Sequence, residues 1–588
     1  MKLFEITIDD FSGGIASDLL NARKGEFALT KHFDISNNKL EPYRDMEDEA
    51  GTLGVYAIKS VVLFTDSAAA QNLYALGNVS GQTYPQVIEK SSNMVTGTFA
   101  ISTTGAGSVG TVVAISLFPY RTKLFGLNLD TTVKLFSYDP QSNTYVAAVG
   151  DTAKTTSGGI YPRMFRHPQD DILYIGVGNQ VSTLNNATFT AAALTLPVGF
   201  VITSFCDYGT YLAIACAPID QSNKSYTFLW NRDTSLTTVS EVIDFGEGSL
   251  MVLDNVGGSL VGISVTSQAT ASVFDIAPKV VFREYTGGLA RTWKEIQWTT
   301  TGASTLLLKN LKAKKDDKLF FALKTYMENQ TVFQVWVVGK NASGRLYATA
   351  DRYVNNDTAI TAIDGLDVIG DYLWVGYNGD GSLKRTNDAA TFTATPTYDS
   401  AILNGGDSNK VKHLDSVVVT FEALPADGIV SLYYRLDEQT TYTRILKYGV
   451  DNALSYGAFN IENATAGGDT VTMTQASPCV VTLTAHKLLA GQSFKFTTSG
   501  ALYTGITAEK TYYVKSTGLT ANTFQFSATA GTDGTAVNTT GTQSGTHKLD
   551  RTANLPDFKE IQFRIESVGG AVITGLKVKY SETDKQKV

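Results

Sequence analysis

The sequence predicts an all-β chain organised around a ring of repeated small sheets, and three observations carry that expectation. A short apolar phrase led by leucine recurs seven times: QNLYALGN on Leu73, TKLFGLN on Leu124, DILYIGVGN on Leu173, TYLAIACA on Leu212, GSLVGISV on Leu260, DKLFFALKT on Leu319 and GDYLWVGYNGDG on Leu373. The anchors stand about 40 to 60 residues apart, room for several short strands per copy, and such a period is the signature of a β-propeller. Charged residues make up only 18% of the chain, and Gly, Ser, Thr and Asn fill the polar share. That mix suits turn-rich antiparallel sheet better than helix. After Leu403 the pattern changes to long alternating strands, as in VKHLDSVVVTFEALPADGIVSLYYRLDEQTTYTRILKYGV over 411–450. Alternation of this kind marks an antiparallel sandwich. The expected architecture is a seven-bladed β-propeller over 51–403, with an N-terminal arm over 1–50 and a C-terminal antiparallel β-sandwich over 404–460 and 550–588. An inserted small β domain over 461–549 interrupts the sandwich.

A length of 588 residues exceeds one ordinary core, so two or more domains are expected. Apolar residues at 43% and aromatics at 11% suffice for globular folding. The net charge is −8, and no basic block exists beyond the short Lys312–Lys318 run, KAKKDDK. Specific nucleic-acid binding through counterion release is therefore not expected. The run itself reads as a solvated hairpin turn. Cys206, Cys216 and Cys479 are too few for a disulfide framework, and the apolar settings of Cys206 and Cys216 predict buried thiols. MKLFEITIDDFSGG lacks the apolar core of a secretory signal, and no apolar run approaches the roughly 20 residues of a membrane helix. A soluble protein made in a reducing cytoplasm is expected.

In chain order, KLFEITID reads as a strand, FSGGI as a glycine turn, and Arg23–Leu29 as a short helix, followed by the strand–turn–strand HFDISNNKLEPYR. This segment carries no repeat phrase, so it reads as an arm that caps the ring or reaches a neighbouring subunit. From Tyr56 each leucine phrase takes three flanking strands; in the first unit these are AIKSVVLFT, YPQVIEKS and TGTFAIST. The sixth unit opens on TLLLKNLKA and the seventh closes on TFTATPTY. The leucine-led strand is apolar almost throughout, as a strand buried on both faces must be. No WD40 or kelch signature is present, and RTNDAATF over 385–392 only approximates an Asp-box turn. LPDFKEIQFRIESVGGAVITGLKVKYSE over 555–582 completes the sandwich begun at 411.

Between those halves lies SPCVVTLTAHKLLAGQSFKFTTSGALYTGITAEKTYYVKSTGLTANTFQFSATAGTDGTAVNTTGTQSGTH over 477–547, almost devoid of charge. It closely resembles a small β module that recurs in tail and structural proteins of tailed bacteriophages, in the order of its phrases. It departs at Lys487, where the module usually has Gly, and at Gln492, where it usually has Asp. DDFSGGIASDL followed by HFDISNNKLEPYRDM resembles the opening of many phage structural proteins. LWNRDTSLTTVSEVIDFGEGSLMVLDNVGGSLVGIS over 229–264 is similar to propeller segments of tail-hub and nozzle components. The resemblance implies a virion protein; fold alone licenses no function.

No catalytic constellation is expected. His32, His167, His413, His486 and His547 are scattered without metal-ligand spacing, and no cofactor fingerprint or nucleophile elbow occurs. Asp170, Asp171, Asp316, Asp317, Asp364, Asp371 and Asp380 fall at hairpins that a ring would gather around its channel mouths. Paired carboxylates there could serve glycoside hydrolysis, but Asp is also what tight turns require, and the turn reading is preferred. Asn378-Gly379-Asp380-Gly381 lacks the spaced ligands of a calcium loop. Catalytic, cofactor and metal residues are thus none.

The function expected is that of a non-enzymatic virion component: a tail hub, nozzle or adaptor, forming a symmetric ring of its own copies against neighbouring tail or portal proteins. Phe11, Gly13 and Gly14 are expected to dock the arm on a neighbour. A receptor- or glycan-binding tail protein, stacking sugars on Tyr377 or Trp298, is the alternative, and a glycan-degrading propeller enzyme a third.

Overall fold

The computed structural model describes residues 3–48, 56–65, 71–79, 86–91, 100–101, 113–129, 131–142, 144–155, 160–219, 224–236, 238–266, 279–297, 311–327, 330–353, 362–378, 383–386, 391–392, 395–425, 428–437, 439–449, 456–460, 469–484, 486, 488, 490–491, 493–550 and 556–582. Among them every regular element is a β-strand, and no helix occurs. The chain divides into two compact units, one formed by 1–43 with 391–588 and the other by 44–390.

The unit over 44–390 holds, among the described residues, seven four-stranded antiparallel sheets. Six are built from consecutive strands within 56–101, 113–151, 163–195, 200–247, 249–297 and 312–353. The seventh joins three strands within 362–386 to Met46–Asp48. All seven anchor leucines lie on the second strand of their sheet, and all are buried. Each also faces a residue near the end of the first strand: Leu73 pairs with Leu63, Leu124 with Pro119, Leu212 with Asp207 and Leu373 with Val368. The repeat read from the sequence is therefore a repeat of position within a sheet.

The apolar core lies between successive sheets. Phe64 and Tyr74 of the first sheet pack with Leu117, Phe136 and Tyr138 of the second. Leu135 of the second meets Ile175 of the third, and Tyr174 of the third meets Phe205 and Trp230 of the fourth. Cys206 and Phe245 meet Leu253 and Tyr285 of the fifth. Phe282 of the fifth packs edge-on to Phe321 of the sixth at 6.1 Å. One further cluster joins Val61 and Leu73 of the first sheet to Ile369 and Trp374 of the seventh. Each second strand is thus covered on both faces, which is why its sequence is apolar without alternation.

Three expectations need correction in this unit and the other. The seventh sheet does not close on TFTATPTY: Thr397–Ser400 pairs instead with Glu26–Lys31 and Ile561–Val568, and Met46–Asp48 takes the vacant edge beside Leu383–Thr386. Arg23–Leu29 is not helical, because Glu26–Lys31 is a strand of a six-stranded sheet whose alternate residues Phe27 and Leu29 are buried. Residues 1–50 do not stand apart as an arm, since Leu3–Ile8 pairs with Ile573–Glu582 and Glu26–Lys31 with Thr397–Ser400. Sheet edges leave backbone donors and acceptors exposed, and these short strands satisfy them within the chain.

The unit formed by 1–43 and 391–588 carries a five-stranded sheet, a six-stranded sheet and a seven-stranded one. The first two draw strands from before 461 and after 550, and the last two long strands, Ile561–Val568 and Ile573–Glu582, contribute one to each. The seven-stranded sheet uses only residues within 469–550. Its two end strands, Thr523–Phe524 and Phe526–Ser527, are separated in sequence by Gln525 alone, so this sheet wraps back on itself. Phe494, Phe496, Tyr512, Phe524 and Phe526 fill its interior with edge-on and tilted ring contacts of 5.0–6.2 Å. Lys487 and Gln492, the two departures from the phage module, lie outside the described residues.

Candidate functional site

In every sheet of the 44–390 unit the first strand is an edge, paired only with the second. Its outer row of backbone N–H and C=O groups needs partners from elsewhere. Six of these strands converge on one cavity of about 180 Å³, through Lys59 and Ser60, Ile115 to Phe118, Arg163 to Phe165, Ser204 and Phe205, Lys312, and Leu366 and Asp367. Five of the seven first strands carry a register shift against their partner, between Ile58 and Ser60, Ala114 and Leu117, Ile202 and Ser204, Leu250 and Val252, and Ile363 and Gly365. Bulges at these positions bend the strand and re-aim its side chains.

Side chains from one first strand satisfy the open edge of another. Val61 N–H donates to Asp367 Oδ2 at 2.9 Å. Thr203 Oγ1 donates to Leu250 O at 2.6 Å and Ser204 Oγ to Leu253 O at 3.1 Å. Lys312 reaches from the sixth sheet to the fourth and fifth, donating to Phe205 O, to Leu253 O at 2.7 Å and to Asp254 Oδ2 at 2.7 Å. Its side chain is 20% exposed and that of Asp254 10%. The Lys312–Lys318 hairpin is thus not wholly a solvated turn: its first lysine points inward, while Asp316 and Asp317 make the turn in left-handed backbone conformations.

Arg163 and Asp367 set the electrostatics of the cavity. Burial pulls the Arg163 guanidinium down to about 10, against the opposing attraction of Asp367. Burial pushes the Asp367 carboxyl up to about 6, against the Val61 N–H, Arg163 and Ser60, all of which favour its charged form. Removal from bulk water outweighs pairing for both groups.

Among the described residues, the acidic side chains singled out in the sequence do not converge on one site. Asp170 accepts from Tyr174 Oη at 2.9 Å and pairs with Arg232. Asp171 accepts from Arg121 Nε at 2.6 Å and pairs with Arg166 at 3.0 Å. The Arg121 and Arg232 contacts are latches between neighbouring sheets, since Arg121 belongs to the second, Asp170 and Asp171 to the third and Arg232 follows the third strand of the fourth, while Arg166 and Tyr174 lie in the aspartates' own sheet. Asp364 is buried and Asp371 exposed at a hairpin, and Asp380 lies outside the described residues.

The histidines are structural in their contacts. His167 Nδ1 accepts from Gln169 N–H at 3.2 Å, so Nε2 carries the proton toward Tyr211 O at 3.1 Å, and burial lowers its pKa. His486 repeats the arrangement, with Nδ1 accepting from Leu488 N–H at 2.9 Å. His547 Nδ1 meets Thr498 Oγ1 at 2.8 Å, and His413 Nδ1 meets Asp557 Oδ1 at 2.8 Å. Among the described residues no group of three metal-ligating side chains forms. Cys206, Cys216 and Cys479 are buried free thiols. No described helix is long and apolar enough to cross a membrane.

Two recognition expectations are corrected. Tyr377 cannot stack a sugar: it is 1% exposed, with its hydroxyl 4.0 Å from Met46 Sδ on the strand that closes the seventh sheet. Trp298 lies outside the described residues. Phe11 is fully buried edge-on to Tyr398 within its own chain, at 5.2 Å. Gly13 donates to Gly25 O at 3.0 Å, and a Cβ there would fall 2.5 Å from the Gly25 carbonyl carbon. Close backbone approach is indeed what the glycine permits, but the partner is intramolecular. Sequence reasoning passed over Lys59, Arg163 and Asp367, whose one signal was a charge interrupting the apolar first strand of its repeat unit.

No protein-family model and no curated protein matches the chain. Among solved structures it is similar to BamB from Moraxella catarrhalis, at 14% identity and TM-score 0.32, covering 66% of this chain and 99% of that one. The β-propeller domain of the Trilobed protease from Pyrococcus furiosus is similar at 10% identity and TM-score 0.32, covering 57% and 99%. A glycoside hydrolase is similar at 12% identity and TM-score 0.27, covering 70% and 94%. Likeness at these scores carries no inference about activity.

Proposed function

We propose that this chain is a non-enzymatic structural component of a tailed-phage virion, positioned in the tail as a hub, nozzle or adaptor. In this reading the seven sheets of 44–390 are the blades of one closed propeller, with Met46–Asp48 joining the two ends of the ring. The five- and six-stranded sheets are the layers of a β-sandwich that carries the 469–550 module. The carrying observation is that module: the segment whose phrases resemble a recurrent phage tail module forms a sheet of its own around its own aromatic core. A discrete insert of this kind adds a docking surface without disturbing the strands on either side of it.

The ring serves as a rigid spacer. In this reading Lys312, which bonds carbonyls of two other first strands, draws those strands together at the axis of the ring. A conduit would run between copies arranged symmetrically around the tail axis. The partners are therefore other copies of the chain and the adjoining tail or portal proteins, and the chain assembles in the host cytoplasm before it enters the particle.

Electron microscopy of purified particles, labelled with an antibody against 469–550, tests the reading. Label at the tail, with tail assembly failing when expression of the chain is suppressed, is expected. Absence of the chain from purified particles overturns it. Release of reducing sugar from host surface glycan by the isolated chain would replace the structural role with a hydrolytic one.

A further inference from the structure

The turn that follows Leu403 sets an asparagine directly before a glycine, and the fold requires both. Asn404 Oδ1 accepts from Gly406 N–H at 2.9 Å, and Asn404 O accepts from Asp407 N–H at 3.2 Å. Gly405 takes a φ of 60°, and a Cβ on it would fall 2.5 Å from Tyr580 Oη and 3.0 Å from Lys412 Cε. Among the described residues, Gly405 N–H and Asn404 Nδ2 donate to no protein acceptor. Asn404 and Gly405 are half-buried beside an exposed Gly406, within reach of water. The other Asn-Gly pair of the sequence, Asn378-Gly379, is not wholly among the described residues.

We propose that Asn404 is a self-modifying site, whose side-chain amide closes on the Gly405 nitrogen to a succinimide that water opens to aspartate or isoaspartate. In the first step the Gly405 nitrogen bonds to Asn404 Cγ and the Cγ–Nδ2 bond breaks. Nδ2 leaves as ammonia, carrying the proton that Gly405 gives up. In the second step water adds at Cγ, which restores the ordinary peptide link, or at the backbone carbonyl carbon, which leaves the chain linked through the side chain. Both hydrogen bonds of the turn assist. The Gly406 N–H polarises the Cγ–Oδ1 bond and stands where negative charge grows as the nitrogen adds. The Asp407 N–H draws electrons toward Asn404 O, which makes the N–H of the same peptide, that of Gly405, a better acid. No side chain at 405 hinders the attack. Asn341 supplies the internal comparison: its Oδ1 accepts from Ser343 N–H at 3.1 Å and its O from Gly344 N–H at 2.8 Å, but Ala342 follows it. Conversion adds one negative charge. Its isoaspartate form also lengthens the backbone between Leu403, bonded through N–H and C=O to Ile561, and Gly405 O, which accepts from Tyr580 Oη at 3.3 Å.

The proposal does not rest on a virion role, and either can fail alone. Peptide mapping by mass spectrometry of the folded full chain, aged in mildly alkaline buffer, tests it against a synthetic peptide of residues 401–410 aged alongside. Asn404 should convert about tenfold faster in the folded chain than in the peptide, because two ordinary hydrogen bonds are together worth about that factor. The rate should rise with pH, since the attacking nitrogen must lose its proton, and Asn341 should stay intact in the same sample. Conversion in the folded chain no faster than in the peptide overturns the proposal. So does a rate independent of pH, or conversion of Asn341 as fast as Asn404.

Discussion

Lys312 donates to Asp254 Oδ2 at 2.7 Å and, with the same nitrogen, to the Leu253 carbonyl at 2.7 Å, so one side chain of the sixth sheet holds the open backbone edge of the fifth. Bonds to Phe205 O extend the hold to the fourth. Lys312→Met should therefore destabilise the 44–390 unit by about 2–4 kcal/mol, because it strands a buried carboxylate and two carbonyls together. Lys314→Met, 3.9 Å from Asp254 and more exposed, should cost about 0–1 kcal/mol. Urea unfolding of both variants at pH 7 checks the difference; equal effects would remove the special role of Lys312.

Asp367 gives the fold a pH signature of unusual sign. Its carboxyl lies at about 6 when folded against an ordinary value of 3.8. Between those values the folded chain holds a proton that the unfolded chain releases, so this group's contribution to stability falls as pH rises through the window. Asp367→Asn should abolish that component. The melting temperature of the parent relative to the variant should decline from pH 4 to pH 7, and a flat difference would refute the assignment.

Lys384 pairs with Asp48 across the closure of the seventh sheet. Cysteines at both positions should oxidise to a disulfide and raise the melting temperature, since the link closes a loop of over 300 residues, for which chain entropy predicts about 6 kcal/mol before strain is counted. Cysteines at 48 and 315 should not pair. Non-reducing electrophoresis and thermal unfolding read both outcomes.

Phe496 is fully buried and touches Phe494, Tyr512 and Phe526. Phe496→Ala should cost the 469–550 module about 3–5 kcal/mol. Expressed alone, residues 469–550 should unfold cooperatively, because the sheet and its core are self-contained. Near-ultraviolet circular dichroism of the isolated segment without a thermal transition would show that the module depends on its host.

Much of the architecture could be read from residues alone. Leu173 and Leu212 announce their strands because a second strand, covered on both faces, must be apolar throughout. The hairpin at Asp316 and Asp317 was legible from its turn chemistry. Tyr377 misled, because an aromatic beside a glycine-rich turn looks the same whether its ring meets solvent or a returning strand. The closing strand itself, Met46–Asp48, has no pattern of its own, being three residues long and far from its partners in sequence.

By itself the sequence determined the period of the sheets, their anchor leucines, the change to long alternating strands after 403 and the separate character of an insert read as 461–549. These are local properties, set by which residues suit a buried strand or a tight turn. Only the tertiary structure decided which distant strand completes the seventh sheet, and which charges line the cavity shared by the first strands. Arg163, Lys312 and Asp367 stand far apart in the chain and share one cavity because their strands are edges, and an edge takes whatever partner the closure of the whole unit brings to it.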